Sequence, residues 1–545
     1  MTRLATGPLL GLYFVLLAGL VWLRPLLPVD ETRYLAVAWE MHLSGDPFHL
    51  TRNFAPYADK PPLLFWLINL VWMIAGVNEF AARLVGPAFA VAMIGATAAF
   101  APRLWRDQPT VGRHSAIVLG GMLGFIVFGG ATMFDTMLGL AVLLSLRQIW
   151  RIGVEGQGGW RPWVGLGLAV TFGFYAKGPV IFLHLAAPFL FFRWWAAERI
   201  GTRRFCLGLG LALLLVLAGA LLWLVPTLLT ATPEFRHELL WRQSAERLGG
   251  GLAHDRPVWF FLLVLPVLLF PWSLSRPFWK GLSSAAGSRD PGLRLCLVWV
   301  AGAFVLFSLI ASKQAHYLIP ELPAAALLTA RMLPEGRKRA ASLASWLCLI
   351  AGLAILALAV LDLSGHTTRL LPDLLSARDW ALVGFLALLL GPLSARLEFV
   401  AGQASLGLGL VGVLYLAAAS GGLFRAYDAE ILRQALVQTG AGPWAVTGTR
   451  YEAQLNFSGR ITAPIQTLAD RAAIETWAGE TPTGVLFGPV GRVPVKIAPE
   501  RRLRYDGEEL GIWPARAITA SAAPVTLSQP PGPTAFEEAA VPLSR

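Results

Sequence analysis

Hydrophobic and polar positions divide this chain into two parts. Up to about residue 420, apolar runs alternate with short polar connections. A run of about 20 apolar residues is long enough to cross a bilayer as a helix. We therefore predict about thirteen transmembrane helices, at 9–27, 80–102, 114–131, 135–150, 162–176, 179–195, 205–229, 257–275, 295–311, 317–332, 340–361, 380–395 and 398–420.

Beyond the last apolar run, the pattern changes to shorter periods. Pro443–Gly448 and Gly484–Phe487 are typical of strands, and Leu468–Trp477 is typical of a helix. We predict a transmembrane domain over residues 1–423 and a small soluble α/β domain over 424–545. The last stretch, Ser521–Arg545, is rich in Pro, Ala and Ser, so we expect it to be loosely ordered.

Composition agrees with a polytopic α-helical membrane protein. Of the 545 residues, 56% are hydrophobic and only 14% are charged, which is more apolar surface than one soluble core can bury. The three cysteines all lie in apolar runs, which argues against a disulfide framework and a thiolate metal site. The net charge of +12 comes from scattered loops rather than one basic patch, so it does not indicate nucleic-acid binding.

The basic loops predict which side of the membrane each helix end faces. Cytoplasmic loops are enriched in Lys and Arg. If the apolar segment 61–76 crossed the membrane, the basic loop 103–113 would lie outside. If 61–76 lies along the outer interface, that loop and the later basic loops all lie inside. We therefore predict that the N-terminus is inside, that 61–76 is re-entrant or juxtamembrane, and that the C-terminal domain is outside.

This assignment collects ionisable residues at the outer ends of the helices. Charged groups there are costly unless they are paired or hydrated, so a one-sided collection indicates a shared cavity. For Lys177 and Asp135 an ordinary interfacial or snorkelling role is an open alternative. The candidates are Asp30, Glu31, Arg33, Asp59, Lys60, Asp135, Lys177, His254, Lys313 and His316.

The loop at 28–79 holds the densest group of these residues. Asp30 and Glu31 directly follow the first apolar run, and two prolines fix the backbone just after Asp59 and Lys60. An ordinary polar loop between two spans is the simpler interpretation. Asp30 alone is also open to a structural interpretation, as the cap of a helix that starts near Thr32.

Known nucleotide and metalloprotease motifs are absent from the sequence. It has no P-loop glycines, no HExxH, no CxxC and no Rossmann-like glycine pattern. An enzyme on the outer face lacks nucleotide-activated substrates, and a lipid phosphate is the obvious carrier for its donor. Such chemistry needs cations for the phosphate and a carboxylate at the reacting carbon. Lys60, Arg247 and Asp30 have the required types and the required side.

Several of these segments resemble one family. The first loop is similar to that of the bacterial aminoarabinose transferases of lipid A and of the protein O-mannosyltransferase-like GT-C glycosyltransferases, and further similar segments follow in order. They are Asp30–Tyr34, Tyr57–Pro62, Gly76–Leu84, Ala176–Pro179, Glu246–Leu248 with His254, Pro257 and Trp259, Pro271–Ser273, Ser312–Pro320 and Leu455–Arg460.

The resemblance implies an inverting transfer of a sugar from a polyprenyl-phosphate donor, without a nucleotide. Asp30 matches the essential acid of the family, and Lys60 and Arg247 match the cations that hold the lipid phosphate. Arg33, Tyr57 and Tyr317 are then nearby polar contacts. No cofactor is required, and Asp59 is a weak candidate for a metal ligand because the aminoarabinose enzymes commonly have Glu there.

The partners implied are the lipid-linked donor, a glycolipid or glycan acceptor such as lipid A or lipopolysaccharide core, and membrane lipids. A protein acceptor, as in the mannosyltransferase-like enzymes, is an alternative. A transporter of lipid-linked sugars is a second alternative. A transporter is expected to show charges near mid-membrane and repeated halves, and neither is evident in this sequence.

Overall fold

A computed structural model describes residues 6–157, 159–198, 200–239, 255–334, 339–364, 371–372 and 374–522. These residues form two compact units. The first consists of residues 1–431, 452–464 and 505–507, and the second of residues 432–451, 465–504 and 508–545. The predicted domain boundary after residue 423 stays a prediction.

The first unit is helical, as its apolar composition predicts. Backbone groups in hydrocarbon must be bonded within the segment, and a helix achieves this. Its helices are Thr6–Leu23, Asp30–Ser44, Leu63–Ala75, Glu79–Arg83, Val85–Leu104, Val111–Gly120, Leu123–Gly129, Asp135–Gly153, Trp160–Lys177, Val180–Leu190, Phe192–Trp195, Thr202–Thr230, Pro233–His237, Phe260–Leu268, Arg276–Gly287, Pro291–Leu309, Leu322–Arg331, Leu343–Ser364, Ala377–Arg396 and Phe399–Ser420, with 3-10 helices at Trp272–Leu274, Ala315–Glu321 and Leu423–Tyr427.

By length and apolar composition, six of the helices in the described part can cross a membrane, or seven if one bent pair counts as a span. That pair, Val111–Gly120 and Leu123–Gly129, is bent by 69°. The predicted span at 317–332 is likewise a 3-10 helix followed by the short helix Leu322–Arg331. A multi-pass helical membrane protein is therefore confirmed, whereas the number of thirteen crossings stays a prediction.

The segment 61–76 contains the helix Leu63–Ala75, which has 13 residues. At about 1.5 Å per residue, this helix is about 20 Å long, well short of the hydrocarbon core. Its buried face carries Phe65 and Trp72, while Met73 and Ile74 are exposed. One packed face and one exposed apolar face suit the predicted helix at an interface.

The first loop folds into a helix and a hairpin. The helix Asp30–Ser44 ends at Gly45, whose φ of 67° places it in the left-handed region that favours glycine. Strands β1 (Thr51–Arg52) and β2 (Ala55–Pro56) then pair antiparallel. The buried carboxylate of Glu40 accepts hydrogen bonds from the amides of the two turn residues, which also have positive φ. A side chain of the loop helix thus fixes the hairpin.

The second unit is a small α/β domain, as predicted. Its sheet has the order β4–β3–β5–β7–β6, with β3 parallel to β4 and β5, and β5 antiparallel to β7. Its core includes Trp477, Leu486 and Trp513. The elements are β3 (Trp444–Thr447), β4 (Gln466–Leu468), β5 (Val485–Pro489), β6 (Arg501–Tyr505) and β7 (Glu508–Pro514), with helices Ala429–Thr439, Arg471–Glu480 and Ala515–Ala522.

Both predicted strands of the tail are therefore present, while its predicted helix starts three residues later, at Arg471. Asp470 explains that start, because its side chain accepts a hydrogen bond from the amide of Ala473 and caps the helix. The stretch predicted to be loosely ordered lies, from residue 523 onward, outside the described residues.

Candidate functional site

Asp30 is the first residue of the helix Asp30–Ser44 and faces partly into solvent. Its side chain is 39% exposed, accepts a hydrogen bond from the Tyr34 hydroxyl at 3.1 Å and lies 3.9 Å from Arg33. The capping position is occupied by Val29, and no side chain caps this end. The capping alternative is therefore wrong. The Asp30 carboxylate contacts the side chains of Tyr34 and Arg33.

A second carboxylate, Asp135, begins the helix Asp135–Gly153 and is buried. Lys177, at the end of the helix Trp160–Lys177, donates to Asp135 Oδ1 at 2.6 Å. His316 Nε2 lies 4.0 Å from Oδ2, and the Lys177 ammonium lies 4.8 Å from the Tyr317 ring centroid. Three helix ends thus bring a carboxylate, an ammonium, an imidazole and a phenol together.

The two carboxylates belong to one cluster. Tyr34 donates to Asp30, and its buried ring packs 4.9 Å from that of Phe134, the residue before Asp135. Lys60 is half-buried and close enough to Asp135 and His316 to interact with both electrostatically. His316 is also within electrostatic reach of Asp30.

His316 lies in the 3-10 helix between two longer helices and is almost buried. Burial lowers the pKa of His316 to about 4, and this effect outweighs the attraction of Asp135. The imidazole is therefore neutral near pH 7. The positive charge next to Asp135 is supplied by lysine rather than by histidine.

Tyr57 and Arg33 lie in the first loop, as Asp30 does. Tyr57 is 2% exposed, and burial raises the pKa of its hydroxyl. It is close enough to Arg33 and to Asp59 to interact electrostatically, and the Arg52 guanidinium lies 5.5 Å from its ring centroid. Asp59 itself is half-buried.

Glu31, a predicted cavity residue, is instead buried in an ion pair within the fold. Its side chain is 5% exposed and forms a buried ion pair with Arg24, whose Nη2 donates at 2.8 Å. It also accepts a hydrogen bond from the amide of Thr132 at 2.7 Å. Burial alone would raise the pKa of Glu31, but Arg24 lowers it to about 2. Glu31 therefore has a structural role, because it links its helix to Arg24 and to the backbone at Thr132. It points away from Asp30, its neighbour on the helix.

Lys313, another predicted cavity residue, is bound to backbone groups instead. It is 3% exposed, and its ammonium donates to the carbonyl oxygens of Arg256 at 2.8 Å and Ala311 at 3.5 Å. Backbone carbonyls occupy this charge, so Lys313 ties two loop segments together. The predicted residues Arg247 and His254 lie outside the described residues.

Sequence reasoning did not select several residues that shape this site. Tyr34 was visible within the Asp30–Tyr34 motif. Arg24, Arg52 and Glu40 carry no motif signal, because their roles depend on contacts that only the fold creates. Glu452 pairs with the first loop from 400 positions away.

A metal site finds no geometric support in the described part of the chain. No group of three or more His, Cys, Asp and Glu side chains there is arranged to hold a metal ion. Asp59 as a metal ligand stays a prediction. What the cluster offers instead is two carboxylates of different exposure with lysines beside them, which suits binding an anion next to a proton acceptor.

Comparisons with known proteins give similar sequences and similar folds. A family model described as dolichyl-phosphate-mannose-protein mannosyltransferase matches residues 59–223. The undecaprenyl phosphate-alpha-4-amino-4-deoxy-L-arabinose arabinosyl transferase of Pseudomonas paraeruginosa is 32% identical over 383 residues, 66% of this chain and 66% of that protein. The corresponding transferase 2 of Sodalis glossinidius is 30% identical over 359 residues, 63% of this chain and 62% of that protein. The chain thus matches just under two thirds of the length of these two relatives.

Solved structures show the same fold. The apo crystal structure of ArnT from Cupriavidus metallidurans has a TM-score of 0.72 and covers 96% of this chain and 100% of that one. The structure of the same protein bound to undecaprenyl phosphate has a TM-score of 0.70 and covers 92% and 96%. The sequence identity is 18% in both, so this likeness shows the fold alone. Together with the family model and the sequence relatives, it confirms the resemblance seen in the motifs, which is to the bacterial GT-C glycosyltransferases of the aminoarabinose transferase and protein O-mannosyltransferase-like family.

Proposed function

We propose that this protein transfers a sugar from a polyprenyl-phosphate donor, of the undecaprenyl-phosphate type, to an acceptor on the outer face of the bacterial cytoplasmic membrane. The observation that carries the proposal is the cluster formed by Asp30, Asp135 and Lys177 at helix ends, with Lys60 from the connection that precedes the helix Leu63–Ala75. Cations at the edge of an apolar region can bind the phosphate of a lipid donor. A carboxylate beside the reacting carbon can accept the proton of the acceptor.

In the proposed reaction, the bond between the anomeric carbon and the phosphate oxygen breaks as the acceptor oxygen attacks from the opposite face. The configuration at that carbon inverts. Lys60 and Arg247 balance the charge of the leaving polyprenyl phosphate through charge-assisted hydrogen bonds. Asp30 accepts the proton of a neutral acceptor hydroxyl. If the acceptor is an anionic phosphate, Asp30 orients it or steadies the positive charge that develops on the sugar.

The relatives' names make 4-amino-4-deoxy-L-arabinose the first sugar to test. The resemblance of the motifs makes lipid A or lipopolysaccharide core the first acceptors to test. One observation favours a second candidate, a protein hydroxyl as acceptor. The family model that matches residues 59–223 is the one described for protein mannosyltransferases. The two candidates share the donor chemistry and the cluster, and they differ only in the acceptor.

The proposed topology places this cluster in the periplasm. It has thirteen crossings, the N-terminus inside, the segment 61–76 along the outer interface, and the domain over 424–545 outside. The basic loops support it, since this topology alone puts all of them in the cytoplasm. Reporter fusions at Gly112 and Gly440 should score as cytoplasmic and periplasmic respectively. A periplasmic signal at Gly112 would overturn the side assignment.

A transfer assay with purified full-length protein tests the function. Undecaprenyl-phosphate 4-amino-4-deoxy-L-arabinose is supplied with lipid A, with lipopolysaccharide core or with a Ser/Thr-containing peptide, and products are identified by mass spectrometry. Sugar on lipid A or core supports the first candidate, and sugar on the peptide supports the second. Movement of intact donor across proteoliposomes without any transfer would instead favour a transporter.

A further inference from the structure

A segment from near the C-terminus completes the first loop. Residues 452–464 belong to the first compact unit, although the residues on either side belong to the second. Glu452, at the start of this segment, accepts a hydrogen bond from Arg52 Nη1 at 2.6 Å, and its carboxylate lies 3.6 Å from Arg33 Nε. A carboxylate from this distant segment thus contacts two arginines of the loop that carries Asp30.

The segment is fixed to the loop by buried contacts as well as by charge. Asn456 is fully buried and donates to Glu40, the carboxylate that holds the hairpin, at 2.8 Å. Trp39 donates to the carbonyl of Ile461 at 2.9 Å. The ring of Phe457 stacks on that of Trp72, with centroids 5.4 Å apart and an angle of 5°. Glu452 is therefore held in place independently of its own ion pairs.

Arg33 lies between two carboxylates. Its side chain is 19% exposed, and different nitrogen atoms approach the two carboxylates: Nη2 lies 3.9 Å from Asp30 and Nε lies 3.6 Å from Glu452. We propose that Glu452 is a positioning residue that holds the Arg33 guanidinium away from Asp30 and so keeps the Asp30 carboxylate open to the acceptor. This inference rests on the proposed function, because it assigns Asp30 the reacting position.

The geometry explains why the position of Arg33 matters. Without the charge of Glu452, Arg33 keeps its ion pair with Asp30 at 3.9 Å, and the attraction between opposite charges draws the guanidinium onto that carboxylate. A bidentate pair would cover the oxygen atoms that must receive the acceptor proton. The two cations proposed to hold the donor phosphate, Lys60 and Arg247, are not altered by this change. The loss should therefore appear in kcat rather than in the KM for the donor.

Glu452→Gln tests the inference in the purified full-length protein, with undecaprenyl-phosphate 4-amino-4-deoxy-L-arabinose as donor and lipid A as acceptor. We expect kcat to fall about tenfold, with donor KM changed less than about threefold and an unchanged melting temperature. Glu475→Gln is the matched control. It removes the exposed Arg471–Glu475 pair, at 2.6 Å, in the second compact unit, and should leave kcat unchanged.

A double-mutant cycle separates positioning from support of the fold. In an Arg33→Gln background, Glu452→Gln should cost less than about twofold in kcat, because the residue it positions is gone. An equal cost in both backgrounds would overturn the inference. If Arg33→Gln alone abolishes turnover, the single variant decides: unchanged kcat in Glu452→Gln, or a fall matched by a lower melting temperature, overturns it. Inactive wild-type protein would overturn the proposed function as well, whereas an active wild type with an equally active Glu452→Gln overturns only this inference.

Discussion

Two ion pairs between carboxylates and cations lie in the same part of this protein, and they differ in what surrounds them. Glu31 pairs with Arg24, with side chains 5% and 2% exposed, and also accepts from the amides of Thr132 and Leu27. Asp135 pairs with Lys177, with side chains 3% and 13% exposed, and His316 Nε2 lies 4.0 Å from its other oxygen.

From this difference in surroundings we propose that the first pair supports the fold and that the second belongs to the functional site. Arg24 also donates to the carbonyl of Gly130, and Arg83 donates to the carbonyl of Arg24, so that backbone groups of three segments converge on the first pair. Such a pair is saturated and has no capacity left for a ligand. The Asp135–Lys177 pair sits beside His316, Tyr317 and Lys60, whose polar groups can still turn toward a substrate.

The largest expected effect concerns Asp30, the immediate neighbour of Glu31. Asp30→Asn should lower kcat by about 10²–10⁴-fold if the acceptor is a neutral hydroxyl, because a positioned general base contributes that much. The helix should be unaffected, since no side chain caps its N-terminus. Turnover and melting temperature of the purified variant, with binding of polyprenyl phosphate as a control, check this. Near-normal turnover would remove Asp30 from the chemistry.

Glu31→Gln should have the opposite effect: it should lower the free energy of unfolding rather than kcat. Removing one partner of a buried pair leaves the other charge without compensation and costs about 3–5 kcal/mol. Unfolding in detergent measures the loss. Replacing both partners, as Arg24→Met with Glu31→Leu, should be less harmful than Glu31→Gln alone. If Glu31→Gln were as stable as the wild type but inactive, the division between the two pairs would fail.

Lys60→Ala should weaken use of the donor. The loss of a charge-assisted hydrogen bond to phosphate is worth about 1.5–3 kcal/mol, which corresponds to about 10- to 100-fold in the KM for the donor. Lys280→Ala is a matched control, because Lys280 is an exposed lysine of the helix Arg276–Gly287, and it should leave KM unchanged. An unaltered donor KM in Lys60→Ala, with saturable turnover, would contradict the proposed phosphate contact.

The sequence predicts the fold and the site where each depends on apolar periodicity or on helix ends. Asp30, Asp135 and Lys177 lie at the ends of helices, and topology alone predicts them on one side of the membrane, where Asp135 and Lys177 form a pair. The separation of Asp30 from Glu31 was not predictable, because adjacent helical residues point about 100° apart and packing decides which one is buried.

Contacts between distant segments could not be predicted from the sequence either. The hairpin of β1 and β2 requires positive φ at Asn53 and Phe54, which phenylalanine rarely adopts and which the buried Glu40 stabilises here. Glu452 carries no motif of its own, and its pairing with Arg52 spans 400 positions. The broken spans arise from local kinks, as at the 69° bend between Gly120 and Leu123, that a count of apolar residues does not reveal.

The smallest expected effect on stability is that of Lys177→Met, and it sharpens the contrast with Glu31. Asp135 would lose its ammonium partner but keep His316 and the favourable N-terminus of its helix. We expect a loss of about 1–2 kcal/mol, smaller than that for Glu31→Gln. Lys177→Arg, which keeps the charge, is the control. A loss as large as that of Glu31→Gln would show that the two pairs are equivalent.

The pH dependence of this loss identifies the compensating group. In the wild type the pKa of His316 is about 4, lowered by burial and by the charges of Lys177 and Lys60 and raised by Asp135 and Asp30. Acidification from the unfolded value near 6.5 toward 4 therefore costs the wild type stability, because only the unfolded chain takes up the proton. Without Lys177, the pKa of His316 rises, and the folded variant binds the proton beside Asp135. The difference in melting temperature between wild type and Lys177→Met should thus shrink from pH 7 to pH 5, and a constant difference would show that His316 does not compensate.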